Sequence, residues 1–278
     1  MSYQTIALHL DAGPRCSARV ALAIELARRF EGSLVGVAPT GLPDVTITMN
    51  TAVPDAIECV VLAAAALRQN AEAAAAAFEQ QCRDAGVAHR SSVVIGAAVD
   101  ALVRAARCSD LVVVGQSGGA RTIDGVPADL PQQLVLQAGA PVLVVPARGA
   151  FGAIGAQVLV AWKNTREAAR ALRDSLPLLE AAREVTLVEF GELPTRGADD
   201  STIDGAAAWL RSHGVPVRVR RDPNLRSVGD RLLSLAAELG CDLIVAGGYG
   251  HSRLREWALG GVTRQLLLEA PLPTLLSH

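Results

Sequence analysis

The chain has 278 residues, half of them apolar and 19% charged, which suits about two domains of ordinary size with sizeable cores. A formal net charge of −2, from 26 basic and 28 acidic residues, gives no electrostatic reason to expect nucleic acid or an anionic membrane as the main partner, and 3% aromatics leave few stacking platforms for bases. No apolar run approaches the ~18 residues of a bilayer span. The opening Met1-Ser2-Tyr3-Gln4-Thr5 shows no basic stretch or cleavage motif, so the expectation is a soluble cytoplasmic protein.

Thr5 to Leu10 is a short apolar run ending at Asp11-Ala12-Gly13 and reads as a strand followed by a turn. Residues 15–31 carry apolar positions at helical spacing, Val20, Ala23, Ile24 and Ala27, and stop at Gly32. Ser33 to Ala38 is a second strand. After a loop with Gly41, Pro43 and Pro54, residues 55–86 form a long Ala-rich helix that ends at Gly86, a glycine suited to a C-cap, and that is expected to cover the core. His89 to Ile95 is a third strand, 97–107 a helix and Leu111 to Val114 a fourth strand. A glycine-rich loop, a helix near 129–138 and the strand Val142 to Val145 follow. Strands and helices alternate, and the strands are short and apolar, which predicts a parallel sheet covered on both faces.

The pattern then repeats. Ile6-Ala7-Leu8-His9-Leu10-Asp11 corresponds to Val158-Leu159-Val160-Ala161-Trp162-Lys163, offset by 152 residues. Asp110-Leu111-Val112-Val113-Val114-Gly115 corresponds to Asp242-Leu243-Ile244-Val245-Ala246-Gly247, and Ala140-Pro141-Val142-Leu143-Val144 to Leu272-Pro273-Thr274-Leu275-Leu276, both offset by 132. The extra residues of the first copy, about 20, fall in the loop and long helix at 40–86. Similarity at this period means duplicated domains, expected at 1–147 and 156–278 and joined by the Gly/Ala stretch from Ala147 to Gly155. The fifth strands, 141–146 and 272–277, are apolar edges costly to leave unpaired, so they are expected at the contact of a pseudo-twofold pair.

The five cysteines, Cys16, Cys59, Cys82, Cys108 and Cys241, are odd in number and form no C-x-x-C, which argues against a disulfide framework or zinc site. No Ser-His-Asp set, metal cluster or carboxylate pair assembles from motif context. The stretch that carries chemistry runs from Ala246 to Thr263. It follows a strand, bends at clustered glycines and leads into an amphipathic helix. Ligands of open α/β sheets bind beyond the carboxyl ends of strands, where glycines admit phosphates and a helix start presents free N–H groups. The spacing fits neither a Walker loop nor a dinucleotide fingerprint.

Gly247-x-x-Gly250, nine residues, then Gly260-Gly261 resembles the nucleotide motif of universal stress proteins, and the duplicated five-strand layout is similar to a tandem member of that family over essentially the whole chain. The resemblance implies two flavodoxin-like, adenine-nucleotide-hydrolase-like α/β domains, each with strand order 3-2-1-4-5. It also implies an adenine nucleotide, ATP or else ADP or AMP, with or without magnesium, between the first and fourth strands. The residues it assigns to that nucleotide are Ala161, Lys163, Gly247, Gly248, Gly250, His251, Arg253, Gly260, Gly261, Val262 and Thr263.

The chain departs from the family pattern. The Ser/Thr slot is Gly261, with Thr263 two positions late, and the adenine-side Asp corresponds to Lys163. That acid is present in the first copy as Asp11, but there no glycine pair follows Gly115-Gln116-Ser117-Gly118 at the right spacing, and Pro127 and Pro131 intervene. The second half keeps the phosphate loop and the first half keeps the acid. Lys163 is the only lysine, the other 25 basic residues being arginine. It reads either as a cation at the mouth of the nucleotide cleft or as a solvated strand-end lysine. Trp162 and Trp257 read as packing residues, and Arg218-Val219-Arg220-Arg221 as a solvated strand end. The expectation is a stress-response or signalling protein with one nucleotide site in its second domain. Alternatives are a dimerising interaction protein of the same fold without a nucleotide, or a slow ATPase.

Overall fold

In a computed structural model of the protein, the described residues are 2–41, 54–116, 127–149, 151–191, 202–223, 227–249 and 261–278, the side chains of 54–59 excepted. The chain divides into two compact units, Ser2–Ala138 and Gly139–His278.

The first unit alternates strand and helix as the periodicity predicts: β1 (Thr5–His9), α1 (Cys16–Phe30), β2 (Ser33–Pro39), α2 (Pro54–Ala85), β3 (His89–Val94), α3 (Ala98–Ala106), β4 (Leu111–Gly115) and α4 (Leu130–Gln137). All three strand pairings are parallel, in the order β3-β2-β1-β4. The strands β1 and β4 are buried almost throughout. The edge strand β3 is not uniformly apolar: Arg90 and Ser92 reach solvent, the polar dressing an unpaired edge needs.

Both long helices stop where a left-handed residue turns the chain. α2 ends at Gly86, with φ +68 and an N–H that returns to Arg83 O. α1 ends one residue before the expected glycine, with Glu31 in the left-handed conformation. Gly32 answers to a different need, since a Cβ there would collide with the backbone oxygen of Tyr3.

α2 covers the core along only half its length. Ala71, Ala75, Phe78 and Cys82 are buried at helical spacing, and Gly36 of β2 makes room for the Phe78 ring, which a Cβ would meet at 2.8 Å. None of residues 60–70 is buried. The expectation of a core-covering helix holds for 71–85 and fails before it.

The second unit begins with β5 (Val142–Val145), which the repeat assigns to the first copy. It continues with β6 (Gln157–Trp162), α5 (Arg166–Asp174), α6 (Leu176–Glu180), β7 (Glu184–Phe190), α7 (Thr202–Ser212), β8 (Val217–Asp222), α8 (Val228–Glu238), β9 (Leu243–Gly247), α9 (Val262–Glu269) and β10 (Thr274–Ser277). α5 and α6 are separated at Ser175 because Pro177 lacks the N–H a continuous helix would use. The parallel pairings give β8-β7-β6-β9-β10, which is the order 3-2-1-4-5. The basic run at 218–221 lies within the edge strand β8, with Arg218 on Glu184 at 3.1 Å and Arg221 on Asp204 at 2.6 Å. Among the described residues four cysteines are free and no helix is long and apolar enough to cross a membrane.

The two fifth strands pair. β5 runs antiparallel to β10, with Leu143 opposite Leu275, and all eight residues are buried. A fragment 156–278 lacks β5 and exposes one edge of β10 with its Leu275 and Leu276. Such an edge is a template for pairing with another chain. Fragment 156–278 should therefore melt lower than fragment 139–278, in which β5 still covers that edge of β10. Equal behaviour of the two would show that β5 does not protect the edge.

Candidate functional site

In each unit the strand order reverses beside the first strand, so the crevice beyond the carboxyl ends lies between β6 and β9, and between β1 and β4. Strand interiors there are fully apolar, and polar groups begin only where the strands end.

In the second unit β6 ends at Trp162, whose indole N–H donates to Thr202 Oγ1 at 3.4 Å, which fits a packing residue. Ala161 pairs with Ala246 of β9. Lys163 follows, exposed, and pairs with no carboxylate among the described residues. Thr165 caps α5 by accepting from the Ala168 N–H at 3.3 Å. Glu167 lies in the first turn and is buried. Burial works to raise its pKa, but its own backbone N–H, Arg166 at 3.1 Å and Thr165 hold the carboxyl below its ordinary range.

β9 ends at Gly247, directly against α5. A Cβ on Gly247 would lie 2.5 Å from Ala168 N and 2.7 Å from the Glu167 carbonyl carbon. The close helix therefore requires this glycine, whatever else the motif does. Gly248 N–H donates to Ser277 O at 2.8 Å, and its own oxygen lies 3.0 Å from His278 Nδ1. Tyr249 has φ +57 and donates its N–H to Thr263 Oγ1 at 3.3 Å. The late hydroxyl of Thr263 is thus buried and committed to holding the loop. Gly261 is the N-cap of α9, with no side-chain cap and no acid in the first turn. The first N–H groups of α9, at Val262 and Thr263, precede its hydrogen-bond ladder, which begins with Gln265 on Gly261 O at 3.1 Å. Gly250, His251, Arg253, Trp257 and Gly260 lie outside the described residues.

At the equivalent position of the first unit, Asp11 is not free. Arg19 of α1 donates to Asp11 Oδ2 at 2.6 Å and to His9 O at 3.0 Å, and Asp11 Oδ1 accepts from the Gly13 N–H at 2.9 Å. The Arg19 side chain is 4% exposed, and a Cβ on Gly115 would lie 2.6 Å from its Nη1. The guanidinium therefore fills the space between the ends of β1 and β4. Sequence reasoning missed Arg19. Its signal was a charged residue on the apolar stripe of a helix, four residues before Ala23 and eight before Ala27. Burial works to raise the Asp11 pKa, but Arg19, His9 and the Gly13 N–H bring it below the usual carboxylate range. His9 is fully buried, with Nε2 unpartnered and Nδ1 3.4 Å from Asp11. Burial, reinforced by Arg19 and opposed by Asp11, lowers its pKa from 6.5 to about 4.

The comparisons agree with this layout. The universal stress protein family model matches residues 156–278, so one domain of that family is found in the second half. A universal stress protein from Archaeoglobus fulgidus DSM 4304 is 15% identical with a TM-score of 0.72, over 98% of this chain and 95% of its own. A functionally unknown protein from Pseudomonas aeruginosa PAO1 is 14% identical with a TM-score of 0.61, over 99% and 92%. At these identities the likeness establishes the fold. No curated protein sequence matches the chain.

The His9 environment has a pH consequence. Between pH ~6.5 and ~4 the unfolded chain binds a proton at this position and the folded chain does not, so stability falls as pH falls through that window. The loss approaches about 3 kcal/mol at its lower end, and the lowered Asp11 pKa adds a further loss in more acid solution. Denaturant titrations from pH 7.5 to 4.5 should show this slope, and His9→Leu should flatten it. An unchanged slope in the variant would exclude His9 as its source.

Proposed function

We propose that the chain is a tandem universal stress-type protein, with repeats near 1–147 and 156–278, that binds one adenine nucleotide, ATP in the first instance, beyond the ends of β6 and β9 and acts in stress response or signalling. One observation carries the reading. At the switch point of the unit matched to that family, Lys163, which pairs with no carboxylate among the described residues, and the start of α9, with no acid in its first turn and no side-chain cap at Gly261, share the carboxyl end of the sheet. These groups fit the phosphates, because a cation and free N–H groups both favour an anion. Val262 and Thr263 would offer backbone N–H groups and Lys163 its ammonium. Gly248 and Gly261 keep the backbone open to close approach. Gly250, His251, Arg253 and Gly260 extend the same surface by their place in the sequence motif.

The adenine end departs from the family, since Lys163 has no acceptor for an amino group. Recognition of the base would then fall to backbone groups near Ala161. Among the described residues no group of three or more His, Cys, Asp or Glu side chains is placed to hold a metal ion. The first unit supports a single site per chain, because its acid is already satisfied by Arg19.

Titration of the whole chain with a fluorescent ATP analogue should saturate at one equivalent. Lys163→Ala should weaken it about tenfold, the scale of one charged hydrogen bond, without lowering the melting temperature of the unliganded protein. Gly260→Asp should abolish binding by setting a carboxylate against the phosphates. A stoichiometry of two would overturn the one-site assignment. No binding at all would leave the interaction-protein reading.

A further inference from the structure

The chain leaves β9 through one peptide group that is held at both poles, the unit joining Gly248 to Tyr249. Its carbonyl oxygen, Gly248 O, lies 3.0 Å from His278 Nδ1, and its N–H donates to Thr263 Oγ1 at 3.3 Å. A carbonyl oxygen only accepts, so Nδ1 carries a proton and donates it. Gly248 is buried and is tied to β10 a second time, by its own N–H on Ser277 O at 2.8 Å. The plane of this peptide is thus set between the end of β10 and the start of α9.

Tyr249 alone would not choose that orientation. Its φ of +57 is left-handed, a conformation that costs any residue with a Cβ. A half-turn of the peptide would carry this φ to roughly −120°, in the extended region. Strained backbone of this kind persists only where its surroundings hold it. The half-turn would also reverse the polarity presented to α9. As held, the peptide turns its N–H toward Thr263. The Thr263 oxygen takes that N–H, and the hydroxyl keeps its own proton to donate elsewhere. Among the described residues that proton meets no acceptor. Turned over, the peptide would offer Thr263 a carbonyl oxygen, which would take the hydroxyl proton and repel an anion at the open N–H groups of Val262 and Thr263.

We propose that His278 is a positioning residue of the anion site. By holding Gly248 O at the end of β10, it keeps the 248–249 peptide with its N–H toward α9, so that the Thr263 hydroxyl and the first N–H groups of α9 all serve as donors to a phosphate. This role rests on the nucleotide site proposed above, and His278 acts there through Gly248 and Thr263 without touching the ligand.

Three substitutions at position 278 of the full chain test it, with a fluorescent ATP analogue as the probe. His278→Ala should weaken binding about fivefold, the scale of one neutral hydrogen bond. His278→Asn sets an amide N–H at the place of Nδ1 and should bind as the parent does. His278→Gln sets it one bond farther out and should resemble His278→Ala. The melting temperature without ligand should be the same in all three. Hydrogen exchange without ligand should find the Tyr249 amide protected in the parent and in His278→Asn, and exposed in His278→Ala and His278→Gln. In a Thr263→Val background His278→Ala should cost no further affinity, because the two residues act in series. A parent that binds while His278→Ala binds equally well overturns this role and leaves the nucleotide reading standing. So do a His278→Asn variant that behaves like His278→Ala, and losses at 278 and 263 that add. A parent that binds no analogue overturns both.

Discussion

A parallel strand covered by helices on both faces has nowhere to put a polar side chain except at its ends. β1, β4, β6 and β9 obey this strictly, and their first charged or conformationally special groups, Asp11, Gly115, Lys163 and Gly247, all sit at the carboxyl ends. Chemistry is pushed to one rim of each sheet. There the helices that follow the strands begin, and their unsatisfied N–H groups add to whatever the side chains supply. The position of the candidate site is thus a consequence of burial before it is a matter of any motif.

The same constraint acts on the edges. β3 and β8 end the strand order of their units on the side away from the fifth strands, and both carry arginines where β1, β4, β6 and β9 carry valine and leucine. β10 would be a third such edge but remains apolar, and it can do so because β5 lies along it. Pairing with β5 covers that apolar edge of β10. This is why the compact unit takes in the fifth strand of the other repeat instead of ending at the repeat boundary.

Much of this was legible in the sequence. Short apolar runs alternating with helical periodicity placed the strands of the first copy within a residue or so, and Gly86 marked a helix end correctly because αL favours glycine. Other features were hidden for physical reasons. Alanine has a high helix propensity whether or not it is covered, so the Ala-rich stretch before Ala71 announced a helix but not that the helix leaves the sheet. Gly32 looked like a stop but is needed for a carbonyl contact that only the folded chain brings near. Gly247 was read through a nucleotide motif, yet the backbone of α5 alone would require it. The partner of Asp11 lies eight residues on, a separation at which neither strand nor helix pattern predicts contact.

The two repeats resolve the same strand-end position in opposite ways. In the first, an acid is retained and a guanidinium is buried against it. A buried pair repays its desolvation only when both members are well hydrogen-bonded, and Asp11 with Arg19 meets that condition through Gly13 N–H and His9 O. Such a site is complete without a ligand, and an entering anion would meet Asp11 while an entering base would have to displace Arg19. In the second, the acid is replaced by an exposed lysine that no carboxylate satisfies among the described residues, beside a helix start that carries no acid of its own. Among the described residues no carboxylate balances that charge, so an anion would meet no competing acid there of the kind Asp11 presents in the first repeat. Of the two strand-end crevices, one is filled by the Arg19 guanidinium held on Asp11, and at the other the corresponding position 163 carries an exposed cation in place of the acid.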